Sequence, residues 1–377
     1  MSALARRLGV NASSVSRWED GTSSPDAEAL QQLAAELKVR PEFFLRPQLD
    51  SVRPVFFRSL SSAYVRDIAY QRVQMRWLQE IGATVQHYVD LPAVDIPDVL
   101  GGSSYRQLRD EDIEQIALDL RRHWKVGEGP CVDVVALMER VGFVIGSIEM
   151  GTAKLDGLCS WAEAEDRPYV LLATDKMSFP RRQMDAAHEM AHALLHRHVT
   201  EHELRSDLKQ IEAQAFRLAS AFLMPSTTFP LEVRTPSLAA LVTLKERWRV
   251  SIKAQIKRLS DLDLLPEAQG THLYKLYSAK GWSKEEPLDR DRWELQQPRL
   301  LSDALNLIVD SGVRSKADLL AVEFTVSSSD VENLCNLPPG WFNRERAEVV
   351  QLTPRFADKP APDTAPATVV RFPGRSR

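Results

Sequence analysis

Apolar residues recur at helical spacing over the first 45 positions, and the pattern breaks where glycine and small polar residues gather. Residues 2–9 predict a short helix ending at Gly9, and Asn11 is placed to cap a second helix running to about Glu19. Leu4, Ala5, Leu8, Val10, Val15 and Trp18 fall on the side such a pair buries, so Ser13, Ser14, Ser16 and Arg17 are left to face a DNA groove. A third helix is expected from Ser24-Pro25, with Leu30, Leu33, Ala34 and Leu37 along its stripe. A longer one follows over about 63–88, carried by Ile68, Val73, Trp77, Leu78, Ile81 and Val85. Further helices are expected over 110–124 and 132–141. The period then changes, and 143–148, 155–161 and 168–173 read as three strands of a small sheet. Helical spacing returns over 180–195, 211–219, 238–248 and 251–262, and again over 271–277 and 298–309; Thr325 to Asp330 can cap a short helix at 331–334. The fold class is α+β and mostly helical: an N-terminal helix-turn-helix, then a helical module holding the small sheet.

Proline, glycine and serine clusters divide this pattern into a helix-turn-helix DNA-binding domain at 1–46, a helical connector at 47–108, the sheet-containing domain at 109–265, a mainly helical region at 266–352 and a tail at 353–377 expected to be disordered. A length of 377 residues suits two or three domains. The net charge of -4 excludes a chain-wide attraction to nucleic acid or membrane, so DNA contact must be local. Three scattered cysteines without a CxxC pair exclude a disulfide framework and a cysteine zinc site, and they suit a reducing cytoplasm. No run approaches the roughly 20 apolar residues of a membrane span.

The chemistry concentrates in MDAAHEMAHALLH, residues 184–196. Residues four apart share a helix face, so His188 and His192 can present two imidazoles to one metal ion while Glu189 projects beside them. A catalytic zinc site takes three protein ligands and leaves one position open, so a third is required. His196 lies about 12 Å from His188 along a helix, too far to share the ion. His198 occupies the place of the third histidine of HExxHxxGxxH, but Leu195 stands where that pattern has its chain-reversing glycine. Glu212, twenty positions beyond His192 on a second amphipathic helix, is the better third ligand; Glu201, His202, Glu203 and Asp207 stay open as substitutes.

Two resemblances sharpen this reading. The run from Leu4 to Leu45 resembles the DNA-binding domain of Cro and lambda-repressor-like regulators. Those domains begin with one more helix, which implies a start upstream of Met1 or an incomplete domain. The segments RPYVLL, DAAHEMAHALLH and IEAQAFRLASAFLMP resemble the ImmA/IrrE family of metallopeptidases, while Phe56-Phe57-Arg58-Ser59 and the run from Gly281 to Pro287 fit its longer members, which carry the repressor-like domain. The second resemblance implies a zincin-like peptidase domain, Zn2+ held by His188, His192 and Glu212, and Glu189 as general base. Ala191 departs from a usual glycine, and Phe216 replaces a usual asparagine that bears on support of the third ligand.

The expected function is a DNA-binding regulator whose zinc-dependent endopeptidase domain cleaves a repressor or antitoxin-like partner. The alternative is a non-catalytic transcription factor or antitoxin that uses the peptidase-like domain as a sensor or docking surface. Expected partners are a DNA operator, that protein substrate and a second copy of the chain as a homodimer, with no membrane. The strand at 168–173 is expected to offer its edge to an extended substrate.

Overall fold

Gly9 adopts a φ of 66°, a left-handed conformation that glycine takes without steric cost, and there the chain turns between α1 (Ser2–Arg7) and α2 (Ala12–Glu19). The computed structural model describes residues 2–45, 54–57, 65–151, 156–175, 178–290 and 292–343. Most of the segment 46–63, Arg58 and Ser59 included, and the tail expected from Thr353 lie outside the described residues. Asn11 stands at the N-cap of α2 but its side chain makes no capping bond. The third helix, α3 (Ala27–Leu37), starts later than Ser24-Pro25, because the Asp26 carboxylate accepts from the Ala29 amide at 2.8 Å and fixes the first turn there. Val15 packs with Ala5, Leu8 and Leu33 in a small core. Leu37, expected in the apolar stripe, is 43% exposed. Just beyond α3, Val39 bridges to Val326, and Arg40 donates to the carbonyls of Leu320 and Ala321 at 2.9 and 2.6 Å.

Four strands form one sheet in the order β1-β3-β4-β2, where β1 is Phe56–Phe57, β2 Val144–Ile148, β3 Gly157–Ala162 and β4 Arg167–Ala173. β4 pairs parallel with β2 and antiparallel with β3, and β1 pairs antiparallel with β3 through Phe56 opposite Cys159 and Phe57 opposite Leu158. Every residue of β2, β3 and β4 is buried, as in sheets covered on both faces. Alternation then sorts the side chains: Ile145, Cys159, Trp161, Val170 and Leu172 join one core, Val144, Leu158, Tyr169, Leu171 and Ala173 the other. The strand at 168–173 therefore has no free edge for a substrate, which corrects the expectation above. Its continuous apolar run marks it as buried, but strand order depends on pairings remote in sequence.

The second core also takes in α4 (Val65–Gln86). The first is built from α5 (Asp110–His123), α6 (Val134–Arg140) and α7 (Phe179–Leu195); α8 (Glu201–Ser206) leads into the remaining helices, α9 (Leu208–Leu223), α10 (Leu238–Trp248), α11 (Ile252–Asp261) and α12 (Glu267–Ala279). α13 (Leu300–Asp310), a single turn α14 (Lys316–Asp318) that widens over Leu319–Glu323, and α15 (Ser328–Leu334) close the second core. The 271–277 helix is longer than expected. α8 and α14 carry too few apolar positions to show a period, yet each has a serine or threonine capping box, at Thr200 and Ser315. Among the described residues no helix is long and apolar enough to cross a membrane.

Two half-buried carboxylates tie these elements together. Glu114 on α5 accepts from Arg258 of α11 at 2.7 Å and from Arg217 of α9 at 2.8 Å. Burial alone would raise its pKa, but the two guanidinium groups hold it below the ordinary value. Glu114→Ala strands the fully buried Arg258, so a loss of about 3–5 kcal/mol in chemical denaturation is expected. Glu139 of α6 accepts from the amides of Arg299 and Leu300, both at 2.9 Å, at the start of α13. Burial pushes it from 4.5 up to about 7. Between those values the folded chain holds a proton that the unfolded chain has released, so stability falls as pH rises through the window. Glu139→Gln is expected to flatten that part of the profile, read as melting temperature against pH.

Candidate metal centre

Pro180 stands in the first turn of α7, where a missing N–H costs nothing, and the helix runs unbroken to Leu195. His188 and His192 are fully buried on its inner face, one turn apart, with their Nε2 atoms 3.0 Å apart. α9 packs along α7 and brings in Glu212, whose oxygens lie 3.4 Å from His188 Nε2 and 3.3 Å from His192 Nε2. Burial works to raise the Glu212 carboxyl, but the two imidazoles beside it hold it well below the usual range, so it is ionised at neutral pH. Donors at 2.0–2.2 Å from a tetrahedral ion stand about 3.3 Å from each other; here the two nitrogens are 3.0 Å apart and each has one of the two Glu212 oxygens at 3.3–3.4 Å. The donor set also suits zinc chemically. Among the described residues this is the one group of three metal-ligating side chains whose donor atoms lie within 4.8 Å of one another.

The other expected ligands are elsewhere. His198 and His202 are exposed. Glu201 pairs with Arg72 at 2.8 Å, Glu203 caps the Thr200 amide, and Asp207 accepts from Tyr105 and Arg106. Glu189 is 1% exposed and lies against the start of β3, where a methyl on Gly157 would come 2.7 Å from its Oε1. Gly157→Ala is therefore expected to displace that carboxylate and lower any turnover while metal content, measured by elemental analysis, stays unchanged. Cys159 is fully buried in β3; burial, with Glu189 nearby, drives its thiol well above the ordinary pKa, so it packs as an apolar residue. Phe216, at the position noted above, packs its ring 4.2 Å from that of His188.

Around these three side chains stands a shell that sequence reading passed over. His196 is fully buried, and burial, with His192 adding, pushes its pKa down to about 3, so it is neutral. Its Nδ1 lies 3.1 Å from His192 Nδ1, and its Nε2 lies 3.1 Å from Gln214 Oε1. The Phe56 ring stacks on His192 at 4.9 Å and 15°. A histidine four residues after His192, and a glutamine two after Glu212, are the signals that point to this shell. At the N-terminus Ser13 and Arg17 are exposed on α2, and Ser14 and Ser16 are half-buried.

Comparison with known proteins finds matches for two parts of the chain. Residues 138–260, which contain β2 to β4, α7 and α9, match the peptidase M78 family in its IrrE N-terminal-like domain. M78 is a metallopeptidase family, which points to a metal cofactor. Residues 1–44 match a helix-turn-helix family model, so the chain joins a helix-turn-helix to a segment of M78 type. No curated protein matches the chain.

Proposed function

We propose that the protein is a DNA-binding regulator whose M78-type module is a zinc-dependent endopeptidase directed at a repressor or antitoxin-like partner. The observation that carries this reading is the convergence of His188, His192 and Glu212 at ligand spacing, with Glu189 next to His188 on the same helix. Zinc held there supplies Lewis acidity at neutral pH. Glu189, buried against Gly157, takes the proton from the attacking water and returns it to the departing amine. Ser13, Ser14, Ser16 and Arg17 of α2 enter the DNA groove, and a homodimer would match a two-fold operator. The three buried, free cysteines support a cytoplasmic setting. The working division of the chain is 1–46, 47–108, 109–265, 266–352 and 353–377.

A second reading, a sensor or docking surface without hydrolysis, draws on one feature: both histidines are fully buried and Phe56 covers the face of His192. Proteins retained by the Glu189→Gln variant separate the two readings. Incubated with zinc-loaded wild type, a retained partner is expected to yield discrete fragments by mass spectrometry. Intact partners at full zinc occupancy would favour the second reading.

A further inference from the structure

Neutral imidazole carries one ring proton, and His192 can offer Nε2 to a metal only if that proton sits on Nδ1. The hydrogen bonds leading away from His192 decide the matter. Gln214 Nε2 donates to the Tyr105 carbonyl at 2.7 Å. A backbone carbonyl only accepts, so the amide nitrogen is on that side and Oε1 faces His196. Oε1 also only accepts, and it lies 3.1 Å from His196 Nε2, so the His196 proton is on Nε2. That leaves His196 Nδ1 bare, 3.1 Å from His192 Nδ1, and the single proton of that contact belongs to His192. In the uncharged ring the proton is thus on Nδ1, and His192 Nε2 is left to a metal on the side of His188 and Glu212.

We propose that His196 and Gln214 are positioning residues that hold His192 in its metal-binding tautomer through a one-directional chain of hydrogen bonds anchored on the Tyr105 carbonyl. The inference rests on the reading of His192 as a metal ligand. Outer partners of a ligating histidine set its tautomer and orientation, and here the partner is a second histidine whose own tautomer is set by an amide. The rings are held in place as well: Phe56 stacks on His192, and Tyr105 meets His196 edge-on with centroids 5.7 Å apart. Tyr105 precedes α5, Gln214 lies on α9 and His196 ends α7, so three separate elements are locked to one ring nitrogen.

The test combines zinc affinity, by competition with a chromophoric chelator, with the ring-nitrogen spectra of the metal-free wild type. His196→Phe keeps an aromatic ring against Phe56 and Tyr105 but removes the acceptor, and a loss of roughly 10–100-fold in affinity is expected. His196→Gln restores an oxygen that accepts from His192 Nδ1–H and is expected to recover most of that loss. Gln214→Leu, which frees the His196 tautomer, is expected to weaken binding as well. The spectra are expected to place the proton of His196 on Nε2 and that of His192 on Nδ1. Zinc uptake with an indifferent His196→Phe, an equal loss in the Phe and Gln variants, or a His196 proton on Nδ1 overturns the proposal. A wild type that takes up no zinc overturns the metal reading together with it, and so is distinguishable from failure of the hydrogen-bond chain alone.

Discussion

Glu189→Gln is expected to lower peptide-bond cleavage by about 10²–10⁴-fold, the range a general base contributes, while zinc content stays unchanged. The carboxylate is 1% exposed and is not one of the three converging donors, so the amide replaces it in shape without touching the ligand set. What the amide lacks is the capacity to take a proton. Single-turnover cleavage of a partner, read beside zinc analysis of the same preparation, checks both halves of the expectation. Unchanged turnover would assign the base to another group, and loss of zinc would mean that Glu189 belongs to the ligand set.

Glu212→Ala carries the other large effect. It removes the only anionic donor of the group, and the two histidines left behind are fully buried. Losing an outer partner of a ligand costs roughly 10–100-fold in affinity, and losing a ligand is expected to cost more. Zinc affinity should therefore fall below that of any His196 or Gln214 variant, with melting temperature followed to show that α9 still packs on α7. An affinity equal to wild type would remove Glu212 from the site and return His198 to consideration.

The candidate site was legible because its chemistry is written in local spacing. His188 and His192 are one helical turn apart, and α7 remains a helix across both. Glu212 was reachable because it sits on an apolar-periodic helix long enough to reveal its inner face. The continuous apolar run of β4 likewise announced its burial. Sequence does not state which strand lies beside which. β4 is central because it pairs with β2 on one side and β3 on the other, and β1 reaches β3 across about a hundred positions, from Phe56 to Cys159. Leu37 was misplaced because a three-helix core this small buries little beyond Val15, Leu33 and their neighbours. The contact of His196 with Gln214 joins parts of the chain that periodicity cannot register against each other.

The most direct measurement is anomalous diffraction at the zinc edge from crystals of the zinc-loaded full chain. One strong peak per chain is expected, about 2 Å from His188 Nε2, His192 Nε2 and a Glu212 oxygen. A peak ligated by His198 in place of Glu212, or no peak between His188 and His192, would contradict this ligand set.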